Sequence, residues 1–281
     1  MSDIPEIELN DGNKIPQLGF GTWQIPAEDT AVAVAKALEV GYRHIDTAEM
    51  YGNEQGVADG LREAGVEREE VFITSKLDNG DHEPDAARRA IETSLEKLGT
   101  RHLDLFLIHW PLPTRYGGDF VQTWKALESF KAEGLTDSIG VSNFQTHHLD
   151  VLKEQCEVTP AVNQIEIHPY MLNHTVAGYD SELGIVTEAW SPLASGDLIE
   201  EPELDHIADH HGKTVPQVVL RWHIQKGYVI FPKSVTPERI QENFHIFDFE
   251  LSDEEVAHID DLDKGEDGRT GPHPDTFDYI G

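Results

Sequence analysis

The chain has 281 residues, 38 % of them hydrophobic, with 53 Asp and Glu against 21 Lys and Arg, a formal net charge of −32. Such a charge repels a phosphate backbone and excludes nucleic-acid binding, and no apolar run approaches the roughly 18–20 residues of a membrane span. A single cysteine, Cys156, excludes an internal disulfide. Residues 1–10 have neither the basic start nor the apolar core of a secretion signal, so a cytoplasmic protein is expected.

The first pattern along the chain is a short hairpin, Ile7–Leu9 and Lys14–Ile15, joined by Asn10, Asp11, Gly12 and Asn13. A unit then recurs: a short apolar run, a polar turn, and a stretch with helical spacing. The run Leu18–Thr22 leads to Ala31–Glu39, a series of good helix formers stopped by Gly41. Arg43–Asp46 and Val71–Lys76 follow. Next comes Pro84–Leu98, which sets Ala87, Ile91, Leu95 and Leu98 on one face and stops at Gly99. Leu103–His109 precedes Asp119–Ala132, where Val121, Trp124, Leu127 and Phe130 align ahead of Gly134. Ser138–Ser142, Ala161–Glu166, Ile185–Trp190 and Tyr228–Lys233 complete eight runs. Pro237–Phe244 follows the last, with Thr236 as cap and proline at the first helical position.

Short continuous apolar runs suit parallel strands buried on both faces. Eight strand–helix repeats predict the α/β class and closure into a (β/α)8 TIM barrel, one domain over residues 1–281. The N-terminal β-hairpin, within residues 1–17, should cap one end. The Gly-, Pro- and Asp-rich tail, residues 263–281, should form a loop over the active-site face. An open doubly wound sheet is the competing fold. Its dinucleotide fingerprint is missing, because Gln24 stands where the third glycine after Gly19 and Gly21 belongs.

In a barrel, chemistry sits where strands end. Every run ends on polar residues: Thr22 and Trp23, Asp46, Lys76, His109 and Trp110, Ser142 and Asn143, Gln164 and Glu166, Trp190 and Ser191, Lys233 and Ser234. Asp46 and Lys76 can pair inside the mouth, either as a structural salt bridge or as part of a site. Tyr51 lies five residues beyond Asp46, in the loop leaving the same strand, so its phenol can reach the lysine. An adjacent ammonium lowers a phenol's pKa and suits it to general acid catalysis. His109 can then orient a substrate oxygen.

The segment Gly41-Tyr42-Arg43-His44-Ile45-Asp46-Thr47-Ala48-Glu49-Met50-Tyr51-Gly52-Asn53-Glu54 resembles the signature of aldo-keto reductases. The resemblance continues through Ile73–Lys76, Leu105–Pro111, Ile139–Phe144, Val162–Glu166 and Phe231–Arg239, in the family's order over nearly the whole chain. It is nearest to bacterial 2,5-diketo-gluconate reductase-like members. It implies NADPH-dependent reduction of small aldehydes, ketones or sugar-derived dicarbonyls, with NADH the lesser cofactor, by a monomer. Tyr51 would be the proton donor, Lys76 would lower its pKa, Asp46 would hold Lys76, and His109 would position the carbonyl. Ser142, Asn143 and Gln164 would bind the nicotinamide amide. Trp190 would stack on the ring where many relatives have tyrosine. Lys233, Ser234 and Arg239 would surround the 2′-phosphate, with Glu242 and Asn243 near the adenine. Thr22, Trp23, Ser191, Leu193, Val235 and Thr236 complete the implied cofactor contacts. Trp23, Tyr51, His109 and Trp110 would line the substrate pocket.

Two rival readings stand beside this one: a non-catalytic structural or regulatory protein of the same fold, and a barrel glycosidase using Glu166 and Glu188 as its carboxylate pair. No metal is expected. His206 and His210, spaced four apart on one helix, and the neighbours His147 and His148 lack a third ligand nearby in sequence. The acidic residues are spread along the chain rather than gathered in a tail, which points to adaptation to concentrated salt.

Overall fold

A computed structural model describes residues 4–280; residues 1–3 and 281 of the expected domain lie outside the described residues. Strands β1 (Glu6–Glu8) and β2 (Lys14–Pro16) form the expected antiparallel hairpin, with Ile7 opposite Ile15. Gly12 supplies the left-handed turn at φ 87°, which a Cβ would resist. Eight parallel strands follow: β3 (Phe20–Gly21), β4 (His44–Asp46), β5 (Phe72–Leu77), β6 (Leu103–Ile108), β7 (Thr136–Ser142), β8 (Val162–Glu166), β9 (Val186–Trp190) and β10 (Val229–Ile230). Each pairs with its successor. Across the seam Leu18 bridges Ile230, the Gly19 N–H donates to Ile230 O at 2.7 Å, and the Ile230 N–H donates to Gln17 O at 3.0 Å. The sheet is a barrel.

β3 and β10 are only two residues long, against the expected Leu18–Thr22 and Tyr228–Lys233. Pro232 has no N–H to extend the ladder beyond β10, and the Gly21 N–H reaches Pro232 O only at 3.4 Å.

The helices are α1 (Ala27–Val40), α2 (Glu54–Ala64), α3 (Pro84–Leu98), α4 (Phe120–Glu133), α5 (Thr146–Gln155), α6 (His174–Leu183), α7 (Pro202–His211), α8 (Val215–Gln225), α9 (Pro237–Phe244) and α10 (Asp253–Asp260). α3 and α9 span the expected residues. Asp119 caps α4 instead of starting it, its side chain accepting the Gln122 N–H. α2, α5, α6, α8 and α10 lie beyond the helices read from sequence. In α2, Gly56 and Gly60 look like breakers, yet both serve packing. A Cβ on either would press on α1, 2.6 Å from Thr30 Cβ and 2.7 Å from Val34 Cβ.

The main apolar core fills the layer between barrel and helices. A second cluster joins Leu9 and Ile15 of the hairpin region to Leu105, Leu107, Ala161, Val162 and Val229. Ala161, Val162 and Val229 lie at the starts of β8 and β10, with Leu105 and Leu107 within β6, so the hairpin plugs that end. Burying Leu9 and Ile15 contributes ~1.5–3 kcal/mol each to holding the plug. Access is therefore at the opposite mouth. Among the described residues no helix is long and apolar enough to cross a membrane.

Candidate active site

Asp46 ends β4, Lys76 lies in the last turn of pleat of β5, His109 follows β6, and Tyr51 sits in the short 3-10 turn (Glu49–Tyr51) after β4. The structure brings all four together. Lys76 is fully buried, and its Nζ donates to Asp46 Oδ1 at 2.7 Å, Thr47 O at 2.8 Å and the Tyr51 hydroxyl at 3.4 Å. All three ammonium hydrogens thus have acceptors. Because the lysine donates to the phenol oxygen, the phenol's own proton is left free to donate elsewhere. The Tyr51 and His109 rings meet edge to face with centroids 5.7 Å apart.

The electrostatics differ from expectation at one residue. Burial is the main influence on Tyr51 and raises its pKa; Lys76 pulls it down, Asp46 pushes it up, and the balance remains above the ordinary value. The lysine acts in the expected direction but is outweighed, so Tyr51 stays a protonated phenol at neutral pH. Burial also opposes the charge on Lys76, yet the Asp46 carboxylate and Tyr51 more than compensate and raise its pKa. Burial, and then the Lys76 charge, hold His109 well below the usual imidazole range, which makes it neutral. Among the described residues its Nδ1 is buried without a partner.

The residues expected at the nicotinamide form one network at the ends of β7, β8 and β9. Ser142 Oγ donates to Gln164 O at 2.8 Å. Asn143 Nδ2 donates to His109 O at 3.0 Å, and Asn143 Oδ1 accepts the Trp190 indole N–H at 2.8 Å. Gln164 Nε2 spends both hydrogens internally, on Asp46 Oδ2 at 2.8 Å and Glu188 Oε2 at 2.6 Å. Only its carbonyl oxygen is left to meet a carboxamide, which narrows the expected role of Gln164 to that of an acceptor. Gln24, Asn143 and Ser191 hold left-handed φ values of 59°, 64° and 52° just beyond β3, β7 and β9. Such strain costs on the order of 1–2 kcal/mol per residue and gathers where function requires it.

At the far end, Lys233, Val235 and Arg239 are exposed, and Ser234 is buried with its Oγ accepting the Thr236 N–H at 3.1 Å. Among the described residues neither Lys233 nor Arg239 has a carboxylate within 4.0 Å. Two unpaired cations beside the N-terminus of α9, in a protein so rich in acids, fit a phosphate. Asn243 is buried, whereas the Glu242 carboxylate accepts from Thr214 Oγ1 at 2.7 Å and so is partly engaged with the start of α8. Thr22 is buried under Asp46, Trp23 is half-exposed at the rim, and Ser191 and Leu193 are half-buried beside Trp190.

Residues 17–264 match the aldo/keto reductase family. An aldo-keto reductase of Mycolicibacterium smegmatis is 50 % identical over 277 residues, 99 % of each chain. The chain belongs to the aldo/keto reductase family. Methylglyoxal reductase DkgA of Escherichia coli is 47 % identical over 279 residues, again 99 % of each chain. The crystal structure of a Gox0644 variant in complex with NADPH superposes with a TM-score of 0.94 at 40 % identity, covering 99 % of this chain and all of that one.

Membership disposes of the glycosidase reading, and the structure of this reductase shows why its carboxylates do not serve. Glu188 is sealed inside the barrel behind Gln164. Glu166 is buried and holds the tail: its Oε1 accepts the Thr270 N–H and Thr270 Oγ, each at 2.6 Å, and Gly271 N–H reaches both oxygens at 3.2 Å. Gly271 packs so closely on the Trp190 ring that a Cβ there would collide with it. Further along, Phe277 tilts against buried Trp110 with centroids 4.2 Å apart, and Asn79 Nδ2 donates to Tyr279 O at 2.9 Å. The tail therefore crosses the tetrad's face, as expected.

Sequence reasoning assigned no role to Asn53, whose Nδ2 donates to Thr22 O and Ile25 O at 2.9 and 3.1 Å and whose Oδ1 accepts from Thr47. That amide ties the loop after β3 to the loop carrying Tyr51. Its place in the signature segment was the available signal. Glu54 behind it accepts from Ser75 Oγ at 2.7 Å.

Proposed function

We propose that this reductase converts small aldehydes, ketones and dicarbonyls, methylglyoxal among them, to alcohols, with Tyr51 as the acid. NADPH, when bound, supplies the hydride. The Tyr51 hydroxyl keeps its proton through neutral pH and delivers it to the carbonyl oxygen as that oxygen gains charge. The Lys76 ammonium, 3.4 Å from the phenol oxygen, stabilises the phenolate left behind, and Asp46 fixes the ammonium. His109, neutral, orients the carbonyl oxygen toward the phenol. Lys233 and Arg239 hold the 2′-phosphate end, Gln164 offers its carbonyl oxygen to the amide, and the indole of Trp190 presents its face to the ring. The name of the Escherichia coli relative supports a compact dicarbonyl as substrate.

The observation that carries the reading is one buried ammonium reaching both Asp46 and Tyr51. The test is Tyr51→Phe, assayed by NADPH oxidation with methylglyoxal. Turnover should fall at least ~100-fold, the scale of positioned acid catalysis, while NADPH binding followed by fluorescence is retained. Near-normal turnover would overturn the assignment. The charge of −32 further supports a salt-rich working environment.

A further inference from the structure

Among the described residues, three groups of imidazoles and carboxylates converge away from the tetrad. In the group of His102, Asp104 and Asp137, the Asp104 carboxylate is already engaged by Arg68 at 2.6 Å and by the Ile73 N–H at 2.8 Å. In the group of His147, His148 and Asp275, His148 Nδ1 accepts the Gln145 N–H at 3.1 Å. The His148 proton must then sit on Nε2, the nitrogen that faces Asp275 at 3.6 Å. That nitrogen is a donor and cannot be a ligand.

In the third group the nitrogens facing the carboxylate also donate to it, but among the described residues no hydrogen bond holds the second nitrogen of either ring, so each proton can move there and free the facing nitrogen for a cation. His210 and His211 end α7, and Glu255 lies in the first turn of α10. His210 Nδ1 and His211 Nε2 each lie 2.9 Å from the same atom, Glu255 Oε1. Adjacent helical residues converge here because one uses Nδ1 and the other Nε2. The second carboxylate oxygen, Oε2, is fixed by the Ser252 N–H at 2.8 Å and Ser252 Oγ at 2.9 Å. The first belongs to a capping box, completed by the Glu255 N–H donating to Ser252 Oγ at 3.2 Å, and together these bonds aim Oε1 as outer partners aim a metal ligand.

We propose that His210, His211 and Glu255 bind one divalent cation of the zinc class, joining the end of α7 to the start of α10. Two imidazole nitrogens and one carboxylate oxygen are a donor set that favours zinc over calcium or magnesium. In a tetrahedral zinc site neighbouring ligand atoms stand ~3.3 Å apart, so the 2.9 Å separations need to open by only a few tenths of an ångström. The fourth position falls to water, because the His210 side chain is 70 % exposed. The negative surface field concentrates cations there. The cation would matter mechanically because α10 buries only Ile259. Beyond it, Val256 packs half-buried against the core, and polar contacts complete the attachment: His258 with Glu203 at 3.1 Å, and Asp260 with Trp222 Nε1 at 2.8 Å and Lys226 at 2.7 Å.

The probe is zinc chloride, titrated by calorimetry into chelator-stripped full-length protein at neutral pH, with the thermal midpoint followed in parallel. One equivalent should bind, and the midpoint should rise with zinc, since a ligand of the native state stabilises it. His210→Ala leaves packing intact because the side chain is exposed. It should weaken binding at least tenfold and remove the zinc-dependent rise. Glu255→Gln, which still accepts from Ser252, should do the same, and His147→Ala should change neither. Wild-type stoichiometry and affinity in His210→Ala, or no zinc uptake by the wild type, would overturn the proposal.

Discussion

Replacing Lys76 with methionine removes one cation from a site sealed against solvent and leaves a side chain of similar length. Three bonds are lost, to Asp46 at 2.7 Å, Thr47 O at 2.8 Å and Tyr51 at 3.4 Å. Among the described residues Asp46, only 2 % exposed, keeps the Gln164 amide as its one side-chain donor. Breaking a buried pair from one side costs about 3–5 kcal/mol, mostly through the charge left behind. Asp46 can escape by taking up a proton, since burial already raises its pKa against the pull of Lys76 and Gln164. The variant's native state would then hold a proton that its unfolded chain releases. Its stability should fall as pH rises above the unfolded carboxyl pKa, by up to ~1.4 kcal/mol per pH unit. Combining Lys76→Met with Asp46→Asn removes both charges, and the amide oxygen can still accept from Gln164. That double variant should regain most of the loss, giving a coupling of about 3 kcal/mol. Urea denaturation of the wild type, both single variants and the double variant measures it. Because the pair is sealed, the coupling should be the same in dilute buffer and in molar KCl. Turnover should stay low even in the restored double variant, which has no ammonium beside Tyr51. A single variant within about 1 kcal/mol of wild type, as for an exposed pair, would refute the reasoning. So would a double variant no more stable than Lys76→Met.

Arg239→Ala should weaken NADPH by about 1.5 kcal/mol, the low end for a charged hydrogen bond at an exposed site, and barely touch NADH. Dissociation constants for both cofactors at one salt concentration decide it, and equal losses would mean that Arg239 is structural. Burial first, and the Asp46 charge second, push the Glu188 carboxyl up to about 8. The native state keeps that proton while the unfolded chain releases it above ~4.3, so stability falls as pH rises from there through 8. Glu188→Gln should flatten the decline by up to ~1.4 kcal/mol per pH unit, and an unchanged slope in urea midpoints would count against a protonated Glu188. The thermal midpoint should climb from dilute buffer toward molar KCl as screening relieves carboxylate repulsion; a maximum at low salt would contradict adaptation to salt.

The strand ends of the barrel were legible because parallel strands are apolar until they reach the mouth, where Asp46, Lys76, His109 and Gln164 stand out. Helices closed by a glycine were legible as well, and α3 begins at Pro84 and stops before Gly99 as read. α2 was not, since Gly56 and Gly60 carry a packing requirement set by Thr30 and Val34 on another helix. The net direction of the Tyr51 pKa was also hidden. Sequence places the lysine nearby but does not reveal how much water the fold removes. Glu166 looked like a candidate acid because its partners, Thr270 and Gly271, lie more than a hundred residues downstream. One donor of Gln164 was lost from view for the same reason, spent on Asp46 across the barrel, while the other goes to Glu188 beside it on the neighbouring strand.

The Glu166 anchor divides the labour of this enzyme along the chain. Groups placed to move a proton are fixed to the barrel before residue 110, whereas the wall that crosses them is a late strap, held by the Glu166 carboxylate, the Trp190 face, the Phe277–Trp110 contact and bonds from Asn79 and Arg115 to its last residues. Substitutions in the strap can reshape what enters without disturbing Lys76 or Tyr51. Substrate range can therefore drift in a lineage while the chemical step stays constant, and grafted tails offer a direct route to changing it in the laboratory.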